Sequence, residues 1–150
     1  MLRLILIYDM HMKFHIKTFP AIITQTIHDD GILSILEVGK QLPFIVKRIY
    51  TIDKCIPNLD RGHHAHKKTR QAIFCLRGSI DLELDNGVIK TTKHLDNPNI
   101  GMLIEPKIWH DMRNISQDAL MLVLADKNYD EDDYIRNYPN FLEYIQKDMK

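Results

Sequence analysis

Turn-forming residues recur along this chain at short intervals, and that spacing holds most elements between them to a few residues. Asp29-Asp30-Gly31, Pro57-Asn58, Arg61-Gly62, Gly78, Asp85-Asn86-Gly87, Asn97-Pro98-Asn99 and Gly101, with Pro106 beyond, read as turns. Between them lie runs rich in Ile, Val, Leu, Phe and Tyr, such as Phe44 to Ile52, Gln71 to Leu76, Ser79 to Leu84 and Leu120 to Ala125. Short apolar runs at such spacing predict an all-β sandwich or barrel. The sharpest local signal is Asp85-Asn86-Gly87, because Asn-Gly accepts the positive φ values of a type I′ turn and its flanks should pair as a hairpin. Only the tail changes period. Tyr134, Ile135, Tyr138, Phe141, Leu142 and Ile145 fall near helical spacing, with acidic residues early and Lys late. Short helical segments interrupted at Pro139, with their aromatics packed on the barrel, are expected there.

A length of 150 residues suits one core, so 1–150 reads as a single domain with 129–150 as its C-terminal tail. Twenty basic residues balance twenty acidic ones, which leaves no electrostatic footprint for nucleic acid. An anionic ligand would need a local basic cluster. Leu2 to Tyr8 is apolar apart from Arg3, yet far shorter than the ~18 residues of a membrane span. Asp9, His11 and Lys13 follow where a signal peptide would place small residues, so no membrane partner is expected. Residues 1–12 read as an apolar strand or as an extension ahead of a start at Met10 or Met12. Cys55 and Cys75 are too few for a disulfide framework or zinc ribbon and read as reduced thiols of a cytoplasmic protein.

The residues able to do chemistry gather in Arg61-Gly62-His63-His64-Ala65-His66, followed by Lys67 and Lys68. On a strand, His64 and His66 share one face, while His63 and Ala65 take the other. Arg48 and Tyr50 would likewise share a face on the preceding strand. Pro106-Lys107-Ile108-Trp109-His110 adds a third histidine and the only tryptophan. Imidazole titrates near neutrality, so two on one face can exchange a proton with one substrate carbon. Nearby Arg and Lys suit a phosphorylated substrate.

This pattern resembles the two motifs of cupins. His64, His66, Gln71 and Gly78 fall in the register of the first motif, with Asn58 where its opening glycine would stand. Gly101, Pro106, His110 and Asn114 resemble the second, with two intervals one residue short. The implied fold is a cupin jelly-roll barrel of the RmlC-like kind with a short helical tail. Metal cupins usually add a carboxylate to three histidines; here the neutral Gln71 takes its place, and neighbouring cations raise the cost of a dication. A site free of metal and of other cofactors is expected.

Arg61 to Lys68 and Cys75-Leu76-Arg77-Gly78-Ser79 are, more narrowly, similar to the dTDP-sugar 3,4-ketoisomerase family. Lys47-Arg48-Ile49-Tyr50, Pro106 to His110, Leu122 to Ala125 and the Tyr129…Asp133-Tyr134-Ile135-Arg136 tail extend the likeness over about residues 13 to 145. The resemblance implies conversion of dTDP-4-keto-6-deoxyglucose to a dTDP-3-keto-6-deoxyhexose, on the way to deoxyamino sugars of surface polysaccharides. It implies catalytic His64, His66 and Tyr50, and a homodimer that exchanges an N-terminal strand. Arg48, Arg61, Lys68, Gln71, Trp109 and His110 are the expected substrate contacts. The ketone at C4 acidifies the hydrogen on C3; its removal gives an enediolate, and protonation at C4 leaves the ketone at C3. His64 is taken as the base, His66 as its partner and Tyr50 as the oxyanion donor, although spacing does not separate the two histidine roles. Asp29-Asp30-Gly31 lacks an arginine that the family often shows there, which leaves the product's C4 configuration open. The competing readings are a metal-dependent cupin enzyme such as a dioxygenase, a non-catalytic nucleotide-sugar binder, and an epimerase that keeps the ketone at C4.

Overall fold

The structure, a computed structural model, describes residues 18–20, 26–28 and 31–148. The strands in chain order begin with β1 (Thr18–Pro20), β2 (Thr26–His28), β3 (Gly31–Leu33) and β4 (Arg48–Ile52). There follow β5 (Arg61–His66), β6 (Gln71–Arg77), β7 (Ile80–Asp85) and β8 (Lys90–Leu95). The last four are β9 (Ile100–Ile104), β10 (Trp109–Arg113), β11 (Leu120–Ala125) and β12 (Tyr134–Ile135), after which comes helix α1 (Tyr138–Asp148). Two five-stranded sheets, ordered β1-β9-β6-β11-β4 and β12-β5-β10-β7-β8, are antiparallel throughout. They form the jelly roll expected of a cupin. The expected N-terminal strand over residues 1–12 lies outside the described residues.

Alternation explains why several strands read as unbroken apolar runs. On β6, Ile73 and Cys75 face the other sheet and pack with Ile80, Leu82, Leu84, Met121 and Val123. The intervening Ala72 and Phe74 join Leu42 and Leu124 in a second cluster on the outer side. A third cluster, Ala65, Trp109, Ile135, Phe141 and Ile145, lies under α1. A strand covered on both faces loses its polar beat, and its sequence then cannot show which face points inward.

Several local expectations need correction. The β7–β8 hairpin forms, but Asp85 pairs with Lys90, leaving a four-residue loop in place of a type I′ turn. Gly87 alone adopts positive φ, at 82°, while the Asn86 carboxamide oxygen accepts the N–H groups of Val88 and Ile89. Asn86 satisfies the loop backbone from an ordinary conformation, so the tighter turn is unnecessary. Gly101 lies inside β9, where a Cβ would sit 2.4 Å from the Phe74 ring. It is there for packing. Pro139 opens the helix instead of interrupting it: Asn137 caps α1 by accepting the Asn140 N–H at 3.0 Å. Proline in a first turn loses no intrahelical bond.

Candidate active site

Arg61-Gly62, expected to be a turn, is a bulge inside β5. His64 pairs with His110 and Gly62 with Asp111, so His63 is the extra residue. Gly62 (φ 96°) and His63 (φ 54°) are both left-handed, and a Cβ on Gly62 would lie 2.7 Å from the His110 carbonyl oxygen. Asp111 pins the bulge, accepting the His63 N–H at 3.0 Å and meeting its ring Nδ1 at 2.8 Å. From there the pleat turns His64 and His66 inward, with His110 across the ladder.

Three imidazoles therefore converge. The ring centroids of His64 and His110 are 4.3 Å apart, those of His64 and His66 5.0 Å. Each Nδ1 faces a group that only accepts: the Gly62 carbonyl for His64 (2.9 Å), the Ile108 carbonyl for His110 (3.3 Å), and the Asp133 carboxylate for His66 (2.9 Å). Each Nδ1 must donate, which leaves a lone pair on every Nε2. The Gln71 amide donates from Nε2 to His66 Nε2 and to the Tyr50 hydroxyl, at 3.1 Å each. Tyr50 thus keeps its own proton to offer elsewhere.

Burial decides the protonation states. It lowers His64 from an ordinary 6.5 to about 4, against the raising effect of the Gly62 hydrogen bond. His66 is lowered for the same reason although Asp133 opposes the shift, and His110 falls well below its ordinary value. Burial and the nearby Tyr134 push Tyr50 up to about 12, so it is a neutral donor. Burial would raise Asp133, but hydrogen bonds from Thr69, His66 and Lys68 outweigh it and hold the carboxyl below its usual value. The result is three neutral bases beside a phenol.

His64, His110, Tyr50, Arg48, Arg61 and Gln71 all line a cavity of about 520 Å³ between the sheets. The Arg48 Nε is buried and has no hydrogen-bond partner among the described residues. His66 lies behind the wall, 2% exposed. Two expected contacts lie elsewhere. Trp109 alternates with His110 on β10, so it packs beneath α1 against Tyr138 and Phe141 at 5.2 and 5.6 Å. Lys68 sits past the end of β5 with its side chain exposed, and only its backbone N–H reaches inward, to Asp133.

The tail supplies what the motif reading missed. Tyr129, Tyr134 and Arg136 line the cavity, and Asp133 holds His66. Tyr134 is the cross-strand neighbour of His66, its ring 4.4 Å from that imidazole. A two-residue strand is too short to show alternation, so only the spacing of Tyr134 and Arg136 could have marked them as a shared face. His64, His66 and His110 also offer nitrogens within 4.8 Å of one another, a donor set able to hold a divalent ion. Among the described residues no carboxylate joins this set, and the Gln71 amide in its place already occupies the His66 lone pair.

A jelly roll with three imidazoles and a phenol gathered at a cavity between its sheets defines a cupin. Residues 12–146 match the family FdtA: WxcM-like, C-terminal. The chain is 45% identical over 117 residues to the TDP-4-oxo-6-deoxy-alpha-D-glucose-3,4-oxoisomerase of Aneurinibacillus thermoaerophilus, spanning 78% of this chain and 84% of that protein. A 3,4-ketoisomerase structure from Helicobacter canadensis superposes with a TM-score of 0.82 at 37% identity, over 88% of this chain and 99% of that one. The sugar 3,4-ketoisomerase QdtA of Thermoanaerobacterium thermosaccharolyticum, solved with TDP, superposes at 0.84 with 31% identity, over 91% and 98%. The chain belongs to the FdtA, WxcM-like family of sugar 3,4-ketoisomerases.

Proposed function

We propose that the chain moves the ketone of a TDP-linked 4-keto-6-deoxyglucose from C4 to C3 by histidine acid–base catalysis. One observation carries the reading: a single cavity is lined by His64, with a lone pair on its Nε2, by Tyr50, with its hydroxyl proton free to donate, and by Arg48. A sugar ring in that cavity meets His64, whose Nε2 removes the C3 proton. Electrons from the C3–H bond form the C3–C4 double bond, and the C4 carbonyl oxygen becomes the oxyanion that Tyr50 stabilises. The C3 hydroxyl then loses its proton as the C3 ketone forms, the C4 oxygen gains one, and His64 returns a proton to C4. His66 lies behind Gln71, whose amide holds its Nε2, so it can serve as the hydroxyl-proton partner only where that amide moves aside. An imidazole with a pKa of about 4 is by itself a weak base. The substrate's diphosphate and the developing oxyanion draw its basicity back up. Arg48, with Arg61 at the mouth, supplies charge for the diphosphate.

No metal is required in this scheme, because Gln71 hydrogen-bonds the nitrogen that a metal would take. The product suits a deoxyamino-sugar route, since a 3-ketone is what an aminotransferase needs. A homodimer accords with the exposed Ile49 on β4, the edge strand of its sheet, and the exposed Ile45 in the segment ahead of it. Cytoplasmic work accords with two free cysteines. No helix among the described residues is long and apolar enough to cross a membrane. Proton NMR of the keto sugar with enzyme tests the proposal: the ketone should appear at C3. Unchanged sugar would defeat it in favour of a binding protein, and exchange at C3 and C5 with the ketone kept at C4 in favour of an epimerase.

A further inference from the structure

Tyr50 and Gln71 stand on strands separated only by β11, and the sheet fixes both backbones. Tyr50 on β4 pairs with Val123, while Gln71 opens β6 between Ala125 of β11 and Ile104 of β9. The Tyr50 ring packs against the core between the sheets. What packing leaves open is the direction of its O–H, which can take either of two positions in the ring plane. Gln71 stands at the cavity wall but is only 2% exposed, so it offers a substrate almost no surface. Its Nε2 touches the Tyr50 oxygen and His66 Nε2 instead, each at 3.1 Å.

The orientation of that amide is set two links away. The Asp133 carboxylate accepts from the Lys68 N–H, from the N–H and hydroxyl of Thr69, and from His66 Nδ1. His66 commits its N–H there and presents a lone pair at Nε2. Gln71 meets that lone pair with an N–H, because a reversed amide would set two acceptors against each other. The second hydrogen of the same nitrogen goes to the Tyr50 oxygen, which closes the position in which the phenol proton would face Gln71. We propose that Gln71, aligned by Asp133 through His66, is a positioning residue that turns the Tyr50 hydroxyl proton into the cavity. The inference rests on the reading of Tyr50 as the oxyanion donor. A donor already aimed at the site of developing charge needs no reorganisation as the charge forms. The chain of contacts carries a direction and transfers no proton. It also gives the amide a purpose of its own, since a glutamate at this place would accept from Tyr50 and turn its proton away from the cavity.

The experiment is a double-mutant cycle between Tyr50 and Gln71 in the full chain, with kcat, KM and calorimetric TDP affinity measured for each variant. Tyr50→Phe removes the donor and should lower kcat by ~10²–10³-fold. Gln71→Met keeps the length of the side chain without its amide. It should lower kcat by about 3- to 10-fold, as for one hydrogen bond lost, with KM and TDP affinity near those of the wild type. In the Tyr50→Phe background the same change should lower kcat by less than about twofold, because no hydroxyl remains to be aimed. Equal losses in the two backgrounds would overturn the proposal, as would a Gln71→Met variant whose main change is in KM or TDP affinity. Wild-type turnover in Tyr50→Phe would defeat the oxyanion reading, and this inference with it. NMR of the Gln71 side-chain amide reads the direction with Gln71 itself unaltered. Tyr50→Phe should shift one of the two amide protons and leave the other, which stays on His66. Two unmoved protons would mean that Tyr50 donates to Gln71, and would overturn the proposal.

Discussion

The two faces of β5, β10 and β12 differ by one residue of register and by everything in chemistry. The inner face carries His64, His66, His110 and Tyr134; the outer face carries Ala65, Trp109, Ile135 and, from α1, Phe141 and Ile145. Outside, burial of apolar surface stabilises the fold directly. Inside, burial withholds protons from three imidazoles, so the same removal from water is spent on reactivity. Among the described residues, the Arg48 Nε is a buried polar atom without a hydrogen-bond partner, on a side chain that lines the cavity.

Changes to one face should therefore leave the other's property nearly intact. The largest effect is expected from His64→Asn, with a ~10²–10⁴-fold loss of kcat and a melting temperature near that of the wild type. Phe141→Ala should do the converse. Phe141 is fully buried against Trp109 and Tyr138, so its truncation should cost ~3–5 kcal/mol in denaturant unfolding. Turnover of the folded fraction at low temperature should stay within a few fold.

The cavity mouth and floor should separate next. Arg48→Ala should weaken TDP binding, read by calorimetry, by about one to two decades, as for a charge-assisted contact of ~1.5–3 kcal/mol. Arg61 is exposed, so Arg61→Ala should weaken it less and in a more salt-sensitive way. Lowered melting with unchanged TDP affinity in both variants would return these arginines to a structural role.

Proton linkage gives a smaller effect. Unfolding returns His64 from about 4 to its ordinary 6.5, so between those values the unfolded chain binds the proton and the folded chain does not. Stability therefore falls as pH is lowered through that window. A His64→Asn melting curve should slope less steeply there. The smallest effect is expected from dialysis against a chelator, which should leave turnover unchanged. Loss of activity restored by one divalent ion would place a metal on the three histidines.

How far the sequence reached follows the same division. His64, His66, Arg48 and Tyr50 were legible because each pair stands two apart on strands long enough to alternate. His110 was legible by motif spacing, but its neighbour Trp109 was drawn in with it, although alternation already puts the two on opposite faces. The bulge at Gly62 and His63 was misread as a turn, since a left-handed Gly serves either. Asp133, Tyr134 and Arg136 were hidden because the apolar residues around them follow the period of α1. Their place at the site depends on a long-range pairing, Tyr134 with His66, that no local pattern records.

The central claim is that His64 takes the C3 proton. It is tested most directly by following substrate deuterated at C3 by NMR, with wild type and His64→Asn side by side. Wild type should release deuterium from C3 as the ketone moves there, while His64→Asn should leave both label and ketone in place. Release of the label by His64→Asn at close to the wild-type rate would contradict it.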